Sequence, residues 1–382
     1  MAQAHKVLIF GAAGRVGLGL TAELIRHKID VVGVDCVSQE LLNQKLARII
    51  VDNRISKDPD SAKVTPYGDV DVLNEASIVD ILTKEQPDVV VNYAIPFTWD
   101  AAKQLNNYPK ISRAGLGAFS AIQVLAPKVI ARAIAIADIS PFYLVGNLPD
   151  ITVPIIYGLG SNIAMAKPIC GAGNVGLIEA AVRQQLATER NVATRDFTIS
   201  LCAHHIHWVA PREPGYRNDA PFLMNVIQNE QDITSELGDL RALMNRAIVN
   251  CYEPGAGFSS TTSRLAAENI LALLGEQPCR LHTPAPNGMP GGHPVIIDKG
   301  VVTLDLPDIW SEQQATETML EAHTRDGIDK IAEDGTIYFD AESVEILQNE
   351  MGFALPLIVA PHDLDTVAKA QIAAAQQLIN KL

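Results

Sequence analysis

Positive charge is scarce in this chain. Its 382 residues carry 30 lysines and arginines against 44 aspartates and glutamates, a formal net charge of −14, and no stretch gathers the basic residues into a run. A nucleic-acid or anionic-membrane partner is therefore not expected, because binding phosphate needs clustered cations. Cysteine is sparse too: Cys36, Cys170, Cys202, Cys251 and Cys279 are scattered with no Cys-x-x-Cys pair. An odd, unpatterned set in a long chain reads as free thiols in a reducing compartment, so a cytoplasmic protein is expected. No secretory pattern opens the sequence. No apolar stretch reaches about 18 residues without polar interruption, and none is expected to span a membrane. The longest candidate, AIQVLAPKVIARAIAIA, holds Lys128, Arg132 and a proline. Internal repeats and low-complexity tracts are absent as well.

What is present is an apolar fraction of 48%, enough for a sizeable core in one large or two smaller domains. The N-terminal part alternates short apolar runs with helical patterns. KVLIF (6–10), DVVGVD (30–35), PDVVVNYA (87–94) and PFYLVGN (141–147) read as strands. VGLGLTAELIRH (16–27), ASIVDILTKE (76–85) and a stretch within 113–136 read as helices. This alternation, with strands apolar on both faces, predicts a parallel sheet covered by helices on each side. After about residue 150 the rhythm changes. TRDFTISLCAHHIHWVAP (194–211) reads as strand, 259–276 and 311–331 as helices with Ser311 as an N-cap, and 294–307 as a hairpin turning at Asp298-Lys299-Gly300. An α/β fold is expected, with a nucleotide-binding domain over 1–150 and an α+β substrate domain over 151–382. The Pro/Gly-rich segments 211–221 and 282–294 have the length of substrate loops.

The first strand runs straight into Gly11, Gly14 and Gly17, spaced Gly-x-x-Gly-x-x-Gly, and then into a helix. Such glycines allow a tight strand-to-helix turn with backbone close enough to meet a pyrophosphate at a helix N-terminus. The pattern asks for an acid at the end of the second strand, and Asp35 closes VVGVD there. Its carboxylate would accept from ribose hydroxyls and repel a 2′-phosphate, so NAD is expected rather than NADP.

Two resemblances follow from these residues. PDVVVNYA is similar to the extended short-chain dehydrogenases and epimerases, which use a Tyr-x-x-x-Lys pair. None of the eight tyrosines here has lysine four positions on; Tyr93 is followed by Phe97, Tyr143 by Asn147 and Tyr157 by Ser161. The phrase VLIFGAAGRVG resembles the opening of malate dehydrogenases, and LVGNLPDITVPI, GAGNVGLIEAAVRQQLA, GAGFSSTTSRLAAENILALL and PVIIDKGVVTLDLPDIWSEQQA resemble later segments of that family in the same order. AHHIHW (203–208) is similar to the Asn-His-x-x-Trp segment of the NAD-dependent family-four glycosidases, a sister branch that uses a metal beside the nicotinamide. The cysteine that helps form that metal site falls at Gly173 here.

The resemblance implies a Rossmann-type fold with NAD as cofactor and a dimer. It also implies that Asn147 lies beside the nicotinamide, that His205 is the acid/base and that Glu179 is its orienting carboxylate. An imidazole suits removal of a carbinol proton near neutral pH. The family's substrate-clamping arginine falls at Val182, with Arg183 one residue further, a change of aim of about 100° on a helix. Arg212 and Arg217, just past the histidines, are the substrate-binding candidates, since a guanidinium grips a carboxylate bidentately. If 203–208 is a strand, His205 and His207 share one face and Cys202 and His204 the other. Either pair suits a metal, but none is assigned. The expected activity is NAD-dependent oxidation of a secondary alcohol in a small polar substrate, a hydroxy acid or sugar acid. Two other readings fit the same residues. One is an internal-redox lyase, isomerase or glycosidase in which NAD is reduced and reoxidised within a turnover. The other is a nucleotide sensor without catalysis.

Overall fold

The computed structural model describes residues 5–54, 62–98, 100–161, 164–173, 175–251 and 257–381, apart from the side chains of 53–54 and 257–260. Six short strands form one parallel sheet: β1 (Lys6–Phe10), β2 (Asp30–Val34), β3 (Val64–Tyr67), β4 (Val89–Asn92), β5 (Phe142–Val145) and β6 (Cys170–Gly171). Their order is β3-β2-β1-β4-β5-β6. Val7 of β1 is in register with Val31 on one side and Val89 on the other. Strand side chains alternate between faces, so Val7 and Ile9 enter one apolar core while Leu8 and Phe10 enter another. Both faces must be covered for such a pattern to be stable, and helices cover them. The strand order reverses between β1 and β4, which opens a crevice beyond the carboxyl ends of those strands.

The covering helices are α1 (Arg15–Arg26), α2 (Gln39–Arg54), α3 (Glu75–Glu85), the single turn α4 (Tyr108–Ile111), α5 (Ser120–Ile136) and α6 (Pro149–Leu159). With the short turn before it, α5 forms the one described stretch long and apolar enough to cross a bilayer by composition, and 72% of its apolar window is buried against the sheet and its neighbours. The sheet does not end at residue 150, since β6 lies beyond it. Neither β3 nor β6 was visible as a strand in the sequence. β3 is only partly buried and contains Pro66, and β6 is two residues long.

The rest of the chain packs three small antiparallel sheets among helices. α7 (Val175–Arg190) leads to β7 (Phe197–Cys202) and the short α8 (His205–Val209). β8 (Leu223–Gln228) and β9 (Gln231–Asp232) complete that sheet, and α9 (Leu240–Cys251) and α10 (Gly257–Leu274) follow. β10 (Cys279–Pro284), β11 (Gly292–Asp298) and β12 (Val301–Leu304) contain the expected hairpin. α11 (Glu312–Thr324) begins at the predicted cap, where Ser311 Oγ accepts from Gln314 N–H at 3.0 Å. It stops short of residue 331 because the chain turns at Gly327 (φ +91°) into β13 (Ile328–Ile331). β14 (Ile337–Phe339), α12 (Ala341–Met351), β15 (Ile358–Val359) and α13 (Leu364–Ile379) finish the chain. α13 lies on the body of the protein: Gln371 Nε2 donates to the Ala118 carbonyl at 2.9 Å, and Val367 and Ala368 join the core that holds α5.

One expectation is corrected outright. Residues 194–211 are not a single strand. β7 ends at Cys202, Ala203 makes one isolated bridge to Gly292, and the chain then winds into α8. His204 is the extended N-cap residue (φ −103°, ψ 156°) and its ring accepts from Ile206 N–H. His205 and His207 therefore sit on a helical turn and are not partners on one face of a strand.

Candidate active site

At the carboxyl end of β1, Gly11 adopts φ +85°, and a Cβ there would stand 2.8 Å from Ala94 N. A Cβ on Gly17 would come within 2.2 Å of the Gly11 carbonyl oxygen, so α1 could not pack so close to the turn with any larger residue. Gly14 is the N-cap of α1, and no side chain caps that helix. Its first-turn amides are thus available to an anion. Asp35 follows β2. Its Oδ2 accepts from Ala13 N–H at 2.8 Å and its Oδ1 from Val37 N–H at 3.2 Å, which fixes the carboxylate beside the glycine turn. Gly11, Gly14 and Asp35 line a cavity of about 560 Å³ that continues past Lys45, Val70 and Asp71 on one side and Tyr93, Ala94 and Thr98 on the other. Glycine backbone at one end and an aspartate beyond β2 match what the phosphates and ribose of a dinucleotide require.

Asn147 follows β5. Its Nδ2 donates to the Ala94 carbonyl at 2.7 Å, and its Oδ1 accepts from Asn92 Nδ2 at 3.4 Å. It thus ties the ends of β4 and β5 together where the cavity wall passes. The next residue, Leu148, takes the left-handed conformation (φ +39°) and starts α6.

Three residues after Asn147, in the first turn of α6, Asp150 enters a buried cluster of histidines and carboxylates. Asp150 Oδ2 lies 3.1 Å from His205 Nδ1 and accepts from His205 N–H at 3.1 Å. The other ring nitrogen, Nε2, stands 2.9 Å from Asp326 Oδ2, an ion pair bent away from the ideal hydrogen-bond line. Asp326 is itself fixed by Leu116 N–H on Oδ1 (2.8 Å) and Gly117 N–H on Oδ2 (2.9 Å). Burial by itself would lower the pKa of His205. The Asp326 and Asp150 carboxylates outweigh it and raise the pKa to about 10, so the ring is an imidazolium at neutral pH. The His204 ring packs 4.2 Å from that of His205 and 5.0 Å from that of His323, centroid to centroid. Burial and the neighbouring imidazolium push His204 well down, so it is neutral. His207 is neutral for the same first reason, lowered to about 4. Its Nδ1 accepts from His204 N–H and its Nε2 donates to the Ala220 carbonyl. His323 Nε2 donates to the Asp150 carbonyl at 3.1 Å.

The carboxylates beside His205 are not the Glu179 that the resemblance implies. Glu179 lies on α7 and pairs with Arg183 one turn later, with Nε donating to Oε1 at 2.8 Å, while Asp150 and Asp326 hold His205. The signal for Asp150 was present: an acid right after a helix-opening proline, in a phrase otherwise without charge (LPDITVPII). Asp326 sits in a Thr-Arg-Asp-Gly turn that carries no such mark. The arginine candidates are also engaged elsewhere. Arg212 lies over the Trp208 ring at 4.5 Å and its Nε donates to the Trp208 carbonyl at 2.6 Å. Arg217 donates to the Thr324 carbonyl and faces Asp340 and Glu342. The 282–294 segment runs from the end of β10 through a turn into β11, and Asn287 Nδ2 donates to the Val302 carbonyl and His293 Nε2 to the Pro290 carbonyl.

Comparison with known proteins agrees with this architecture. The profile of the NAD dependent epimerase/dehydratase family matches residues 7–110, which span β1 through β4 and the glycine turn. No curated protein gives a significant sequence match. Among solved structures, the lactate dehydrogenase of Cryptosporidium parvum, determined with lactic acid and β-nicotinamide adenine dinucleotide, has a TM-score of 0.56. It is 15% identical over 85% of this chain and 98% of its own. The malate dehydrogenase of Picrophilus torridus has a TM-score of 0.55 at 17% identity, covering 85% of this chain and 95% of its own. The 6-phospho-beta glucosidase of Thermotoga maritima has a TM-score of 0.53 at 13% identity and covers 97% of this chain and 98% of its own. At these identities the likeness is one of architecture: the chain has the Rossmann-like parallel sheet with added antiparallel sheets that matches the folds of these dehydrogenases and of that glucosidase.

Proposed function

We propose that this chain is an NAD-dependent oxidoreductase acting on a secondary alcohol, or the matching carbonyl, of a small polar substrate such as a hydroxy acid or sugar acid. The observation that carries the reading is the cavity beyond β1 and β2. It joins the Gly11–Gly17 turn to an Asp35 carboxylate already oriented by two backbone amides. Gly11, Gly14 and the open first turn of α1 would hold the pyrophosphate, Asp35 the adenosine ribose, and Asn147 would stand near the nicotinamide. Bound NAD would supply the hydride acceptor. The chain would supply the proton chemistry, and His205 is the candidate. It is buried with Asp150 and Asp326 at its two ring nitrogens, so to exchange a proton with a substrate oxygen it would have to leave one of these carboxylates. For a carboxylate-bearing substrate, Arg212 or Arg217 would have to leave its present partners.

The likeness to a 6-phospho-beta glucosidase across 97% of the chain supports a second reading, internal redox with no net change in NAD. One experiment separates the readings. NAD binding is measured by calorimetry, and hydroxy acids, sugar acids and their carbonyl forms are then screened at the NADH absorbance band, with and without divalent metal. Net NADH production or consumption establishes the oxidoreductase. Substrate loss without an NADH signal indicates internal redox. NAD binding with no turnover of any kind leaves a nucleotide sensor, and absence of NAD binding rejects the proposal.

A further inference from the structure

The wall of the nucleotide cavity holds a cation. Among the described residues that line it, Asp35 and Asp71 are acids and Lys45 is the one base. Lys45 belongs to α2. Leu42 and Leu46 of that helix are buried in one core with Ala12 and Ala13, and a Cβ on Gly33 of β2 would stand 3.2 Å from Leu46 Cδ1. This packing fixes α2 against β2 and the glycine turn. Lys45, next to Leu46, is carried to the edge of the turn, where its Nζ donates to the Ala13 carbonyl at 3.0 Å.

Ala13 is also the residue whose N–H meets Asp35 Oδ2. The carboxylate and the ammonium therefore flank a single residue of the turn and face the same part of a ligand. Lys45 makes no ion pair among the described residues, and its hydrogen bond goes to a neutral carbonyl. Its charge and its other N–H donors remain for an incoming group. An ammonium binds phosphate as a point charge, through a charge-assisted hydrogen bond. The pyrophosphate of a dinucleotide already has a holder in the first turn of α1, which no side chain caps. The ammonium is thus left for the adenosine end, where Asp35 would hold the ribose.

From these observations we infer that Lys45 is a second determinant of cofactor choice: it takes the 2′-phosphate of NADP, so the cavity binds NADP as well as NAD. The inference rests on the dinucleotide reading of the cavity proposed above, and it modifies the preference that Asp35 sets by itself. Facing Asp35 and Asp71 alone, the added phosphate would meet only negative charge. With Lys45 across Ala13 from Asp35, it gains a cation. Two backbone N–H dipoles already point at the Asp35 carboxylate and offset part of its field. The discrimination between the two dinucleotides is therefore a balance between Asp35, which repels the phosphate, and Lys45, which holds it. The glycine pattern does not reveal this residue, because Lys45 lies outside it on the next helix.

The test is calorimetry on the full-length protein with NAD, NADP, AMP and 2′,5′-ADP as probes. Wild type should bind both dinucleotides, and its NADP affinity should fall more steeply with added salt than its NAD affinity. Lys45→Met keeps the length of the side chain and removes the charge. It should raise the ratio of the NADP to the NAD dissociation constant by about 10- to 150-fold, the worth of a hydrogen bond to a charged group. The ratio of 2′,5′-ADP to AMP should move with it, which excludes any effect from the nicotinamide end. Lys45→Arg, which keeps a cation, should retain NADP binding. Wild-type protein that binds NAD but not NADP overturns the inference and leaves the cofactor reading standing. So does a ratio unchanged in Lys45→Met, or an equal loss of NAD and NADP, which places Lys45 on the pyrophosphate. Binding of neither dinucleotide rejects the cofactor reading and this inference with it.

Discussion

Two aspartates in this molecule do the same thing locally and opposite things globally. Asp35 and Asp326 each accept two backbone amides, Ala13 and Val37 in one case and Leu116 and Gly117 in the other. Asp35 sits on the wall of an open cavity, so its charge remains solvated and available to a ligand. Asp326 is sealed from solvent, and its charge is answered by His205. The difference teaches where this chain places recognition and where it places cohesion. The glycine turn is a backbone device facing water. The histidine cluster is a side-chain device that joins α6, α8, the turn after α11 and the chain before α5.

The comparison breaks most visibly at Asp326. Asp326→Ala leaves the Leu116 and Gly117 amides without their acceptor and removes one of the two carboxylates that hold the His205 imidazolium. Removing one partner of a buried pair costs about 3–5 kcal/mol. Asp326→Ala should therefore show a loss of that size in denaturant unfolding; a change below about 1 kcal/mol would mean the cluster is not cohesive. Asp35→Ala should act the other way round. Its stability should change little, because water can replace the carboxylate at the cavity wall, while NAD affinity drops. Losing a charged hydrogen-bond acceptor costs about 1.5–3 kcal/mol, or roughly 10- to 150-fold in Kd by calorimetry. Discrimination against NADP should weaken in the same variant.

The two regions also differ in their response to acid. His282, on β10 in the histidine-rich half, accepts from Leu201 N–H at 3.2 Å and has its pKa lowered to about 3 by burial and by the Arg280 and Arg183 cations. Its unfolded value is near 6.5, so the unfolded chain binds the proton first as pH falls. Its stabilising contribution is complete above about pH 6.5 and is lost from there towards pH 3, at up to about 1.4 kcal/mol per pH unit. His207 and His323, both lowered to about 4, titrate in the same direction. His282→Gln keeps an acceptor without a titratable group. The stability gap between wild type and this variant should therefore shift in the variant's favour between pH 7 and pH 4.5. A gap independent of pH would show that folding does not lower the pKa of His282.

What the sequence made legible follows from distance along the chain. The glycine turn, Asp35 and the strands around them are local patterns, each readable within a few residues of backbone logic, and the sheet formed as the alternation required. The Ser311 cap was legible for the same reason. β3 and β6 were not, because neither is long or apolar enough to carry a period. The strand reading of 203–208 failed because six mixed apolar and polar residues do not distinguish a strand end from one turn of helix; the His204 cap and its contacts decided it. The histidines announced themselves by type, but their carboxylates lie 55 and 121 residues away in the chain. No spacing rule links those positions. Only the packing of α6 and of the turn before β13 brings them together.

Glu179 is the smallest and most direct test of that lesson. It was the carboxylate expected behind His205, and it is largely buried on α7. Burial raises its pKa while Arg183 pulls it back. Arg183 is the partner it holds, on its own helix and partly exposed, and i,i+4 pairs of this kind are worth a few tenths of a kcal/mol. Glu179→Gln keeps the shape and removes a charge that is costly to bury, so stability should change by less than about 1 kcal/mol in either direction. NAD affinity and, once a substrate is in hand, the pH profile of turnover should be unchanged. A carboxylate orienting the catalytic imidazole would behave differently: its amide replacement would depress kcat and shift the profile. The same substitution at Asp150 should do what Glu179→Gln does not, so the pair of variants reads out which acid stands behind His205.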